Sequence, residues 1–381
     1  MKTPRLRVLL ATLVVLGASS CGTATDTRSS SDEPDAAGSG GTADTADTAE
    51  SAGTEVASAT PRLAVTHDGG VMVVDVTSGE VVADEPMEGF VRVSPAGGVL
   101  LEAAEAGHVV AHNGITTLFD DGTGTITVLD PDDLAVGSPE VTTQATDEAH
   151  HGVAVRLVDR NLLMTVGDEE SRSGVRLMSP SGAVLAETDE CPGVHGEAFA
   201  EDAAVFGCED GAVVVDGRDI TKVSSPDAYG RIGNQAGSEV SPVLLGDYKT
   251  DPDAELERPT RVSLIDTRNA SLRLVDLGTS YSFRSLGRGP EGEALVLGTD
   301  GAIHVLDPGT GERVDTIEVV DRWREPLDWQ QPRPALHVVG STAYVTDPRR
   351  DRVHVVDLDR ARVTKALDLP HTPNEVVANA G

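Results

Sequence analysis

A chain of 381 residues with 30 Lys and Arg against 63 Asp and Glu carries a formal charge of -33. Such a surface repels phosphate backbones, which excludes nucleic acid as a partner, and it draws small cations towards it. Aromatic residues make up only 3%, and valine with many Asp-Gly and Ser-Gly pairs reads as strands joined by tight turns, not as helices.

The first element is a targeting segment. MKTPRLR is a basic start, VLLATLVVLG is an apolar run too short to span a bilayer, and GASSC ends in Cys21. The small residues before Cys21 resemble a bacterial lipobox, with Ala18 where that motif usually has Leu. Residues 1–21 are therefore expected to be a lipoprotein signal peptide with Cys21 as the lipid anchor, an ordinary cleaved signal peptide being the alternative. Either way the chain is exported, into a compartment where disulfides persist. Residues 22–60, rich in Ser, Thr, Ala, Gly and acid, cannot build a core and read as a flexible tether. Residues 61–381 are expected to form one folded domain.

From residue 61 one phrase returns: a strand of alternating valines, an Asp, a turn and another strand. The copies are VMVVDVTSGEVV (Asp75), ITVLDPDDLAV (Asp130), VRLMSPSGAVL (Ser179), VVVDGRDITKV (Asp216), VSLIDTRNASLRLVD (Asp266), IHVLDPGTGERV (Asp307) and VHVVDLDRARV (Asp357). Their spacing of roughly 40–55 residues is that of four-stranded propeller blades. The prediction is an all-β, seven-bladed β-propeller. NEVVANAG at the C-terminus reads as an innermost strand and PRLAVTHDGG as a second strand, so the two would pair, complete one blade and close the ring. FVRVSPAGGVLLEAAEAG (Phe90–Gly107) looks like half a blade, which leaves an eight-bladed ring with one truncated blade as the alternative.

Three innermost-strand candidates begin with histidine: HVVAHNGITTLF at His108, HGVAVRLVDRNLLMTV at His151 and HGEAFAEDAAVFG at His195. The three occupy one position on consecutive blades, where the chain reaches the innermost strand at a mouth of the central channel. Three imidazoles there would suit Zn²⁺, leaving a fourth place for water or a carboxylate, and would also suit Cu²⁺ or Ni²⁺. Glu197 and His150 stand close enough in sequence to act as outer partners, and His112 as an extra ligand. The competing reading is that these histidines satisfy backbone groups at a polar mouth. His304 and His354, inside strand copies, read as structural or surface residues, and His67 and His337 carry no stronger signal.

CPGVHGEAFAEDAAVFGC places His195 between Cys191 and Cys208. Zinc cysteines usually come as close pairs such as CxxC, and these do not. In an exported chain a Cys191–Cys208 disulfide is expected instead, clamping the hairpin that carries His195 and contributing on the order of 3 kcal/mol through a loop of about 17 residues.

GHVVAHNG…LFDDGTGTITVLD, HHGVAV, ECPGVHGEA…VFGCEDG, LLGDYKTDP and AYVTDP…VHVVDL…LPHTPNE, in that order, resemble the AztD-type zinc metallochaperones across most of residues 61–381. That resemblance implies an exported propeller that binds zinc and passes it to the solute-binding protein of a zinc ABC importer. It implies ligands drawn from His108, His151 and His195, with Cys191–Cys208 as the family's disulfide. Asp247, in GDYKTD, is a fourth-ligand candidate by its place in a family phrase, with turn and strand-end hydrogen bonding as its other reading. The chain departs from the family in one respect: GVLLEAAEAGHVVAH runs straight through where many such proteins carry a histidine-rich segment. A scaffold that binds another protein through the ring is the alternative function. A propeller lactonase or quinoprotein is a further one, though no GxSxG elbow appears and the acids fall in turn phrases. If the metal reading holds, affinity is expected to fall as pH drops through about 6.5, because only neutral imidazole ligates.

Overall fold

In the computed structural model the described residues are 7–9, 60–87, 100–102, 106–129 and 142–378. The signal peptide around Cys21, the tether, most of Phe90–Gly107 and Asp130 lie outside them. Seven antiparallel sheets form a seven-bladed β-propeller. Blade 1 spans Arg62–His67, Gly70–Asp75 and Val81–Pro86, blade 2 runs from Ala106 to Ala145, blade 3 from Ala154 to Thr188, and blade 4 from His195 to Ser224. Blades 5, 6 and 7 follow over Gln235 to Asp276, Tyr281 to Glu318, and Leu336 to Asp368. Blades 2 to 7 are each a four-stranded meander in chain order, and Gly230–Arg231 adds a short parallel rung to blade 4. The eight-bladed alternative falls away. Within the half-blade phrase, Leu100–Glu102 pairs with Arg7–Leu9 in a separate two-stranded ribbon, and Ala106 already belongs to blade 2.

The ring closes through its termini. Val376–Ala378 pairs with Leu63, Ala64 and Val65 as the innermost strand of blade 1. Asn374 N donates to Thr66 O and Thr66 N donates to Glu375 O, at 2.8 and 2.9 Å, extending that ladder. Pairing the two ends removes an open sheet edge from each.

The repeated Asp marks the hairpin between third and fourth strands. Asp75 accepts from the backbone N–H groups of Thr77 and Ser78, Asp307 from Thr310 and Asp357 from Arg360, so the carboxylate shapes the turn. Alternating valines then face the neighbouring blade. Among the described residues, separate apolar clusters fill the gaps from blade 2 round to blade 1: between 2 and 3 (Phe119, Ile126, Leu162), 3 and 4 (Val175, Leu177, Phe206), and on to 7 and 1 (Leu63, Met72, Val353). Innermost strands of successive blades lie side by side and carry the residues that matter below.

Candidate metal centre

Two of the three innermost strands that bear the register histidines are irregular where the histidine sits. In blade 4 the ladder slips between His195 and Glu197, with Gly196 at φ +68°. A Cβ on Gly196 would stand 2.8 Å from the Gly233 carbonyl oxygen, so glycine is what lets blade 5 approach here. In blade 2 the ladder slips between Ala106 and Val109, around His108. A bulge re-aims the side chain it carries. His151 needs none, because it lies in the loop before Ala154–Arg156.

The result is a near-equilateral triangle of imidazoles. Ring centroids are 5.1 Å apart for His108–His151, 5.1 Å for His108–His195 and 5.0 Å for His151–His195. One nitrogen from each lies within 4.8 Å of the others. Tetrahedral zinc with bonds of about 2.0–2.1 Å sets its ligands about 3.3 Å apart, so modest side-chain rotation would close the triangle on an ion. Among the described residues the group ends at three members, and His151 is exposed, so a fourth coordination place would face solvent.

Two of the rings are fixed from behind. His151 Nδ1 is 2.5 Å from Asp121 Oδ2, and Asp121 Oδ1 also accepts from Gly152 N at 3.2 Å. His195 Nδ1 donates to the Gly233 carbonyl at 2.6 Å. An acceptor at Nδ1 selects the tautomer whose Nε2 lone pair is available to a metal. Burial first, then the neighbouring His151, lowers the pKa of His195 to about 3; Arg231 and Arg172 push the same way, while the Gly233 carbonyl opposes them. His195 is thus a neutral ligand throughout the ordinary pH range.

Cys191 and Cys208 are joined by a disulfide, both cysteines fully buried, with Cα atoms 4.9 Å apart. The bridge ties the loop before His195 to the end of the next strand. Cys191 N and Gly193 N donate to Ser173 O and Arg172 O of blade 3, so the same loop is also held by the preceding blade.

The remaining sequence candidates lie elsewhere. His112, at the far end of its strand from His108, stacks on Phe199 with centroids 3.5 Å apart and bonds the Asn113 amide. His150 is buried with both nitrogens engaged, Nδ1 with Glu148 O and Nε2 with Thr165 Oγ1, each at 3.0 Å. Asp247 is fully enclosed. Its Oδ1 accepts from Gly233 N and Asn234 N and its Oδ2 from the Asn234 amide, so it holds the loop whose carbonyl orients His195. Of its two sequence readings, this is the structural one. Glu197 pairs across the ladder with Phe206 and shares its apolar face; burial pushes its carboxyl up to about 8. The residue that sequence reasoning missed is Asp121. It was visible only as the second Asp of LFDDGTG, a turn in the blade before His151.

With this geometry in hand, the comparisons with known proteins become specific. No protein-family model matches the chain. Over 292 residues it is 25% identical to the zinc chaperone AztD of Citrobacter koseri, covering 74% of this chain and 67% of the relative. The chain resembles AztD. Two solved structures of Citrobacter koseri AztD, one of them the apo form, superpose with TM-scores of 0.71 and 0.72 at 21% identity, each covering 84% of this chain and 97% of that one. The likeness extends over the whole ring, so the AztD-type resemblance and the propeller read from the sequence both hold. The curated relative is named as a chaperone, not as an enzyme.

Proposed function

We propose that this chain is an exported zinc chaperone that holds Zn²⁺ on His108, His151 and His195 and hands it to the solute-binding protein of a zinc ABC importer. The observation that carries the reading is the imidazole triangle with its backing acceptors. Neutral ligands, an outward-facing fourth place and a partly exposed ring make a site that captures an ion and can also release it. Transfer is ligand exchange: a histidine of the partner takes the open place, and the chain's imidazoles leave one at a time, with no covalent bond made or broken. Because His195 stays neutral far below pH 6.5, protons do not displace zinc at that ligand. The likeness to AztD supports zinc as the ion. Cys21 would anchor the chain by lipid to the outer face of the membrane, and the Cys191–Cys208 disulfide fits an oxidising compartment.

The test is zinc transfer. Zinc-loaded chain mixed with metal-free solute-binding protein should pass on its ion in the presence of a chelator that intercepts free zinc. The His108→Ala/His151→Ala/His195→Ala variant should pass on none. Transfer undiminished in that variant, or blocked by the chelator in the wild type, would refute the proposal.

A further inference from the structure

The loop that joins blade 6 to blade 7, residues 319–335, brings arginines together without acids to match them. Arg322 and Arg324 on this loop, Arg349 on the turn between the second and third strands of blade 7, and the buried Arg333 line a cleft of about 430 Å³. Arg322, Arg324 and Arg349 are exposed, and among the described residues none of the three meets a carboxylate. The acids nearby are already taken: Asp321 and Asp347 by Arg350, and Glu325 by Arg333 at 2.6 Å. Acids outnumber bases in this chain by 63 to 30, so three neighbouring arginines left without one need a reason.

The cleft is held in shape. Trp323 is buried, its Nε1 donating to Gly298 O and its backbone N to Thr299 O, both at 2.9 Å. Arg333 Nη2 donates to Asp328 O at 2.7 Å, Arg258 Nη2 to Glu325 O at 2.9 Å, and Arg349 Nη1 to Arg322 O at 3.2 Å. The free guanidiniums therefore stand on a frame that has little order left to gain on binding. The same loop exposes apolar surface, with Leu327 60% and Trp329 51% exposed. Tryptophan and arginine are the side chains that anchor protein interfaces, whereas a small inorganic anion would have no use for the apolar pair.

Position supplies the third observation. The innermost strands of the blades run side by side in one direction, so the segments that lead into them share one face of the ring. Residues 319–335 lead into Leu336–Val339, as the His151 loop leads into Ala154–Arg156 and as His195 opens its own strand. The arginine cleft and the imidazole triangle lie on the same face.

We infer that Arg322, Arg324 and Arg349, with Leu327 and Trp329, form a docking surface on the channel-mouth face for a protein partner that presents a cluster of carboxylates beside an apolar patch. The inference rests on the proposed function for the identity of that partner, the solute-binding protein. An acidic partner meets positive charge here, on a molecule whose net charge of -33 would otherwise repel it. Docking there also brings the partner over the face that carries the triangle.

The experiment measures binding of the zinc-loaded chain to the metal-free solute-binding protein by biolayer interferometry, with zinc transfer read separately. The wild type should bind, and more weakly as salt rises. Arg322→Ala/Arg324→Ala/Arg349→Ala should weaken binding by about tenfold or more, mainly through slower association, and leave zinc affinity unchanged in a competition titration. Trp329→Ser should speed dissociation. Arg218→Ala, which removes an exposed arginine from a hairpin on the opposite face, should change nothing. No binding by the wild type, binding unmoved by the three substitutions, or an equal loss in Arg218→Ala would overturn the inference. So would capture of the chain by phosphatidylglycerol vesicles in place of the protein partner. Binding that depends on the three arginines but passes on no zinc would sink the proposed function and keep the docking surface.

Discussion

The triangle of His108, His151 and His195 and the group of His67, Asp84 and His371 use the same kind of ligand in opposite ways. At the channel mouth the carboxylate, Asp121, stands behind an imidazole, outside the triangle. At the closure Asp84 lies directly between two imidazoles, those of His67 and His371. The first arrangement would leave a bound ion with its full positive charge and an open place. The second sets the carboxylate against both imidazoles, one of them buried. Placement of one carboxylate, behind an imidazole or between two of them, decides whether a ring nitrogen is left free for a metal.

The sharpest way to break this comparison is to remove the channel imidazoles: zinc delivery should vanish while the ring stays folded. Next in size is the disulfide. Cys191→Ala/Cys208→Ala should cost on the order of 3 kcal/mol, read as a fall in denaturant midpoint, because the bridge closes a loop spanning 17 positions. The same variant should also weaken channel zinc, since it frees the hairpin that carries His195. Asp121→Ala comes third. It leaves all three imidazoles but removes the acceptor behind His151, and a 10–100-fold loss of zinc affinity is expected in a competition titration. An unchanged affinity would mean that the carboxylate does not set the ring's tautomer.

The smallest effect is a pH signature of two half-buried groups, His195 and Glu197, on one strand. Glu197 is raised from 4.5 to about 8, so the folded chain holds a proton there that the unfolded chain has lost; stability therefore falls as pH rises from about 4.5 to 8. His195 is lowered from 6.5 to about 3, so the unfolded chain binds the extra proton, and stability falls as pH drops across that window. Glu197→Gln removes the first slope and keeps the second. Its melting temperature relative to wild type should climb by a few degrees between pH 5 and pH 8.5, measured without metal. A constant difference would show that Glu197 ionises freely.

Much of this molecule was legible in the sequence, and for physical reasons. The blades announced themselves because every third strand ends at an Asp or Ser turn, and the closure because a lone strand at each end needs a partner. The histidine register was readable because each of the three opens the same strand phrase. What sequence could not carry was contact between turns. Asp121 reaches His151 from the preceding blade, and no periodicity says which turn residue lies behind a neighbour's histidine. His150, adjacent to His151, faces the blade interior instead, because neighbouring residues on an extended chain point opposite ways. His67 and His371 looked unremarkable alone, since their meeting depends on ring closure joining the chain's two ends.

The central claim is that one ion sits on three imidazoles at the channel mouth. The most direct measurement is a zinc competition titration against a chromophoric chelator at pH 7.5 on two proteins, the wild type and the His108→Ala/His151→Ala/His195→Ala variant. One zinc per chain in the first protein and none in the second is the predicted result. One zinc held equally by both would contradict it and place the ion elsewhere in the ring.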